Sequence, residues 1–172
     1  MGLELEVSNF SFQYWKESPK ALTDVSFTVP AGSVCALLGP TNAGKTTCLQ
    51  AMSGALGSHH RESIASGVVR VGNEVHTPLP TRILFPQVGL TIQEPSYQIS
   101  GLRPTVREEV NLTLESLSVD EQEITLRTNE LLLILGLDRL ANRNPADLSG
   151  GEQQRVALAT ILVARPPVLL MD

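Results

Sequence analysis

Eight consecutive residues, Gly39-Pro40-Thr41-Asn42-Ala43-Gly44-Lys45-Thr46, fit G-x-x-x-x-G-K-[ST] in full. Their setting matters as much as the pattern. Val34–Leu38 before them is a short, unbroken apolar run, which predicts a strand buried on both faces of a parallel sheet. Lys45–Met52 after them is compatible with a helix. Glycines let such a loop curl so that several backbone N–H groups point inward at phosphate oxygens. The helix that follows adds its positive N-terminal end. Lys45 would place a point charge near the β and γ phosphates, and Thr46 would offer a hydroxyl to Mg²⁺. The bland alternative is a glycine-containing turn with a solvated lysine; the flanking strand and helix favour the phosphate loop. Asn42 sits where glycine is common, and Asn tolerates left-handed backbone angles better than most residues.

The rest of the 172-residue chain reads as one α/β domain with a β-rich front end and an inserted helical region. Leu3, Leu5 and Val7 alternate with polar residues, as do Val25, Phe27 and Val29, which predicts half-buried strands. Gly57–Ser66 is polar and loop-like, and Gly72-Asn73 between valines predicts a hairpin. Pro78 and Pro80 break the chain. Val88–Ile92 is a further strand candidate, Thr105–Ser116 and Glu121–Leu135 are helical, and Gly136 suits a C-cap. Ser149–Ala164 is a helix stopped by Pro166-Pro167, and Val168–Met171 is a last apolar strand before Asp172.

A net charge of −5 argues against a broad nucleic-acid-binding face. Cys35 and Cys48 lack metal-ligand spacing and read as reduced packing residues. Apolar runs such as Leu131–Leu135 fall far short of the roughly 20 residues that span a bilayer, and no signal peptide is visible. A membrane role would therefore come through a partner.

Leu148-Ser149-Gly150-Gly151-Glu152-Gln153-Gln154-Arg155 reads first as a helix start, with Ser149 as N-cap and Glu152 as its capping-box partner. A Ser-Gly-Gly opening also leaves N–H groups unblocked beside a helix dipole, a second place for an anion.

With these segments in order, the sequence resembles an ATP-binding cassette ATPase over essentially its whole length. Gly39–Thr46 matches the Walker A loop, and Gln93 the glutamine of the Q-loop. Leu148–Gln153 matches the LSGGQ signature with Glu152 at its last position, and Val168–Asp172 matches the Walker B strand and its aspartate. Tyr14 falls where the family places an aromatic that stacks on adenine; otherwise it is an ordinary exposed aromatic. The resemblance implies a P-loop NTPase fold with an N-terminal antiparallel β subdomain and an inserted helical subdomain. It divides the chain into 1–93, the β subdomain and loop core; 94–148, the helical part with the Q-loop; and 149–172, the signature helix and Walker B strand.

It also implies ATP and Mg²⁺ as ligands. The nucleotide would be held by Tyr14, by Gly39, Pro40, Thr41, Asn42, Ala43, Gly44, Lys45, Thr46 and Thr47, and by Ser149, Gly150, Gly151 and Glu152 from a second subunit in a head-to-tail dimer. Thr46, Gln93 and Asp172 would serve the metal, and Lys45, Gln93 and Asp172 the hydrolysis, by electrostatic positioning.

The family's glutamate after the Walker B aspartate, its D-loop and its switch histidine all lie beyond Asp172, and His59, His60 and His76 precede the Q-loop. The expectation is a C-terminally truncated ATPase that binds nucleotide weakly, hydrolyses it little or not at all, and exposes strand edges and apolar faces. Gln93–Gln98 with Thr105–Val110 is most similar to the energy-coupling-factor and cobalt-type import ATPases. That implies a transmembrane scaffold partner, a peripheral position on the cytoplasmic or organelle-interior face, and Tyr97, Ile99 and Leu102 as contacts or as local packing. The rival expectation is a soluble cassette ATPase acting on a macromolecular complex without a transporter.

Overall fold

The alternation in the front end becomes strand pairing in the computed structural model, which describes residues 2–56, 63–76 and 85–172. β1 (Leu5–Gln13) runs antiparallel to β2 (Leu22–Val29) on one side and to β3 (Ile64–Val71) on the other. β4 (Glu74–His76) pairs with β3 through the two-residue Gly72-Asn73 turn, giving the order β2-β1-β3-β4. Gly72 has φ 57°, the left-handed geometry that such hairpins need at this position. Register aligns Leu5 with Val29 and Val71, and Val7 with Phe27 and Val69. One face is therefore apolar throughout, and slipping by one residue would turn it to water.

The register shifts between Ser8 and Ser11, where Asn9 takes φ 50° and Gly67 φ 91°. The Asn9 amide donates to Asp24 Oδ1 at 2.9 Å, and its backbone N–H to Ser26 Oγ at 2.8 Å. A Cβ on Gly67 would lie 2.4 Å from the Asn9 carbonyl oxygen. Gly67→Ala should therefore cost about 2–4 kcal/mol of stability, read as a lowered thermal midpoint; an unchanged melt would contradict this.

α1 (Lys45–Ser53) buries Cys48, Leu49, Ala51 and Met52 in a core shared with Phe10, Phe12, Val69, Val88 and Leu170. Burial pushes the Cys48 thiol up to about 11, so it packs as an inert small hydrophobe. Cys35 departs from the packing expectation and is exposed. Its exposure follows from a larger departure. Val34–Leu38 is not a buried strand: Val34 is 100 % and Leu38 91 % exposed, and only Leu37 reaches the core. A strand is buried on both faces only when neighbours pair with it, and among the described residues none does. β5 (Val88–Thr91) and β6 (Val168–Met171) form a separate two-stranded sheet.

Residues 91–166 form a second compact unit; 1–90 with 167–172 form the first. The signature helix therefore belongs with the helices of the second unit, and the Val168–Asp172 segment with the first. Each helix of the second unit begins and ends as its sequence dictates. α2 (Val106–Ser116) is capped by Thr105, which accepts from Glu108 N–H, and α3 (Glu121–Ile134) by Asp120, which accepts from Gln122 N–H. Gly136, at φ 64°, closes α3: its N–H reaches Leu133 O, and the N–H of Leu137 reaches Leu132 O, both orphan carbonyls of the last turn. α4 (Gly150–Leu162) stops before the Pro pair. Val106, Val110, Leu114, Leu132, Leu137, Val156 and Ala159 are its buried core.

Three sequence expectations meet the limits of the described residues. Gly57–Glu62, with His59 and His60, and Pro78 and Pro80 lie outside them, whereas Ile64–Ser66 belongs to β3 rather than to a loop. Among the described residues no helix is long and apolar enough to cross a membrane.

Candidate functional site

The glycine loop does take the curled form its composition suggests. Asn42 adopts φ 66° and Gly44 φ 86°. A Cβ on Gly44 would stand 2.6 Å from the Ala21 carbonyl oxygen and 2.8 Å from Leu22 Cδ2, so only glycine fits. Gly44 is also the N-cap of α1, and no side chain caps the helix there. The first-turn N–H groups thus face the loop unsatisfied by any cap. Pro40, Thr41 and Ala43 complete the curl, with the Ala43 N–H donating to Pro40 O.

Lys45 folds back over the loop: Nζ donates to Gly39 O at 3.0 Å and to Pro40 O at 2.9 Å. The ammonium is thus parked on the loop's own carbonyls, which a triphosphate would outcompete as charged acceptors. Beside it, Thr46 Oγ1 donates to Asp172 Oδ1 at 3.0 Å. Two motifs 126 positions apart meet as a hydroxyl and a carboxylate, both hard oxygen donors of the kind Mg²⁺ selects.

Thr47 is buried, and its Oγ1 lies 2.8 Å from Tyr14 Oη. Tyr14 is half-buried, edge-on to Phe12 with ring centres 4.9 Å apart. It is therefore neither the free exposed aromatic nor a ring without local contacts. This hydroxyl pair was not foreseeable, because the adjacent pair Thr46-Thr47 gives no hint which threonine turns inward.

At the start of α4, the Glu152 carboxylate accepts from the Ser149 N–H at 2.8 Å and from the Ser149 hydroxyl at 2.7 Å. The Ser149 hydrogen bonds, with weaker help from Arg155 and Arg143, hold this carboxyl below the ordinary carboxylate range. A depressed folded-state value means the clasp is fully present above the ordinary carboxylate pKa and is lost as pH falls through the lowered value. A carboxyl-carbon NMR titration should show Glu152 titrating below the ordinary glutamate range; an ordinary value would contradict the bonded geometry. Among the described residues, nothing lies within 4 Å of a Cβ placed on Gly150 or Gly151, so packing within the described structure does not require glycine at either position. Gln93 is exposed, just beyond β5, in the second unit.

The sequence profile of the ABC transporter family matches residues 22–172, from β2 through Asp172. The chain belongs to this family. Among similar ABC proteins, the energy-coupling factor transporter ATP-binding protein EcfA1 of Levilactobacillus brevis is 35 % identical over 168 residues, 98 % of this chain and 57 % of that protein. The sulfate/thiosulfate import ATP-binding protein CysA of Nocardia farcinica is 39 % identical over 153 residues, 88 % of this chain and 43 % of that protein. Among solved ABC structures, CbiO1 from Clostridium perfringens, described as part of the transporter complex CbiONQ, superposes with a TM-score of 0.80 at 26 % identity. That superposition takes in all of this chain and 66 % of the other. The chain thus spans a little over half the length of the energy-coupling-factor relative. The P-loop fold of the ABC ATPases, with its antiparallel sheet and its helical part, is therefore that of this chain.

Proposed function

We propose that this chain is the ATP-binding and ATP-hydrolysing part of a membrane transporter, acting in the import of a small solute or ion through a transmembrane partner. The observation that carries the proposal is the meeting of Thr46 and Asp172, 126 positions apart, at 3.0 Å beside the glycine loop. The hydroxyl and the carboxylate suit Mg²⁺, which when bound supplies charge neutralisation at the terminal phosphates. The chain's own residues do the rest. The Gly39–Thr46 backbone orients the phosphates, and Lys45 leaves its carbonyl acceptors for the β and γ oxygens. Tyr14 and Thr47 border the nucleoside side. Gln93 is assigned the γ-phosphate-sensing role by motif order alone.

Ser149, Gly150 and Gly151 are assigned to the nucleotide of a second, head-to-tail subunit. The open space that the described residues leave in front of both glycines supports close approach by another molecule there. An import role is supported by the relatives, whose names describe an energy-coupling-factor transporter and sulfate/thiosulfate import. Tyr97 is 83 % and Leu102 76 % exposed, which suits contact with a partner, whereas Ile99 packs against the helical core.

The test is recovery of the protein from a detergent extract. It should carry a polytopic membrane protein with it, and Tyr97→Asp should release that partner while leaving MgATP binding intact. Recovery with ribosomes or nucleic acid, and no membrane partner, would favour the soluble cassette reading instead.

A further inference from the structure

The segment that leaves Gln93 is tied down at two points, by the side chains of Gln98 and Glu109. Gln98 Oε1 accepts the N–H of Ile92 at 3.3 Å, closing a ring around Gln93 and the Pro95–Tyr97 turn. Within that ring, the N–H groups of Gln98 and Ile99 both reach Pro95 O. Two residues further on, Glu109 takes hold. It lies on α2, is only 2 % exposed, and accepts from Ser100 N–H at 2.5 Å and from Ser100 Oγ at 2.9 Å. The Ser100 hydroxyl in turn accepts the Leu102 N–H at 3.2 Å. The Pro95–Tyr97 turn packs against the signature helix α4, so one loop touches both the Gln93 end and that helix.

A buried carboxylate is costly unless hydrogen-bonded, and here it is bonded to a loop rather than to its own helix. Thr105 and Glu108 already make the capping hydrogen bonds of α2, and the hydrogen bonds of the Glu109 side chain go to Ser100 instead. Its bonds instead fix where Tyr97 and Leu102 stand relative to α2. The geometry points to Glu109 as a positioning residue: with Ser100 and Gln98 it locks the Gln93 segment to the helical unit, so that a displacement at Gln93 reaches the exposed Tyr97 and Leu102 instead of being absorbed by a slack loop. This assignment rests on the transport reading above.

The test uses the protein assembled with its membrane partner. Glu109→Ala should lower the kcat of partner-stimulated ATP turnover about tenfold while leaving KM for MgATP within about twofold. Glu109→Gln keeps one acceptor oxygen and should fall between. Glu109→Ala combined with Ser100→Ala should be no worse than Glu109→Ala alone, because the two act through one contact. Unchanged kcat in Glu109→Ala, or a raised KM with kcat intact, would overturn the assignment. Amide hydrogen exchange reads the clasp independently: the residue-100 amide should exchange about tenfold faster in Glu109→Ala, which removes its acceptor, and the Leu102 amide about tenfold faster in Ser100→Ala, which removes the hydroxyl it donates to, with α4 amides unaffected. Unaltered exchange at these amides would also overturn it. If the unaltered complex shows no stimulation by a membrane partner, the transport reading fails, while the exchange result still decides whether the clasp exists.

Discussion

Replacing Lys45 by alanine is expected to weaken MgATP binding about a hundredfold, the loss of charge-assisted contacts to two phosphates. Among the described residues the ammonium is bonded to Gly39 O and Pro40 O, both in the loop itself. It makes no contribution to the Phe10–Met52 core, so the variant should melt close to the unaltered protein. That separation makes the result readable: affinity falls while stability stays. Lys45→Arg should rescue poorly. The loop is shaped around a point charge, and a planar guanidinium fork would not fit between the same two carbonyls. Calorimetric titration with MgATP checks both variants. Near-normal affinity in Lys45→Ala would mean that the ammonium does not face the phosphates.

Asp172→Asn should cut ATP turnover in the assembled transporter about a thousandfold, on the scale of removing a charge that acts at the reacting phosphates. The substitution is nearly isosteric. Asn keeps an oxygen that can accept the Thr46 hydroxyl, now at 3.0 Å, so the local packing survives. What it loses is the charge that makes an oxygen donor attractive to a small divalent cation. The Mg²⁺ concentration for half-maximal turnover should therefore rise, while nucleotide binding measured with EDTA present should hardly change. An unaltered Mg²⁺ dependence would remove Asp172 from the metal site.

The local rules were legible because they depend on neighbours in sequence. The left-handed angle at Asn42, the Gly136 stop and the Gly72-Asn73 turn each follow from a residue whose backbone or side chain suits one conformation. The placement of Asp172 beside Thr46 was legible only through motif order, since no spacing rule joins positions so far apart. The Val34–Leu38 segment misled for a related reason. Its apolar run states what the segment needs, not what is available to cover it, and Val34 and Leu38 stand bare. Glu109 was illegible altogether. It lies in an acidic run at a helix start, where Glu108 and Glu109 both look like solvent-facing dipole partners, and only the fold shows that one of them turns inward to Ser100.

The backbone between Gly39 and Thr46 is held to cradle the terminal phosphates of a nucleotide, and an amide shift map tests that most directly. MgATP and MgADP should move the N–H resonances of residues 41–47, and AMP, which lacks the outer phosphates, should leave them in place. Equal shifts with AMP, or ATP-induced shifts confined to other parts of the chain, would contradict the account.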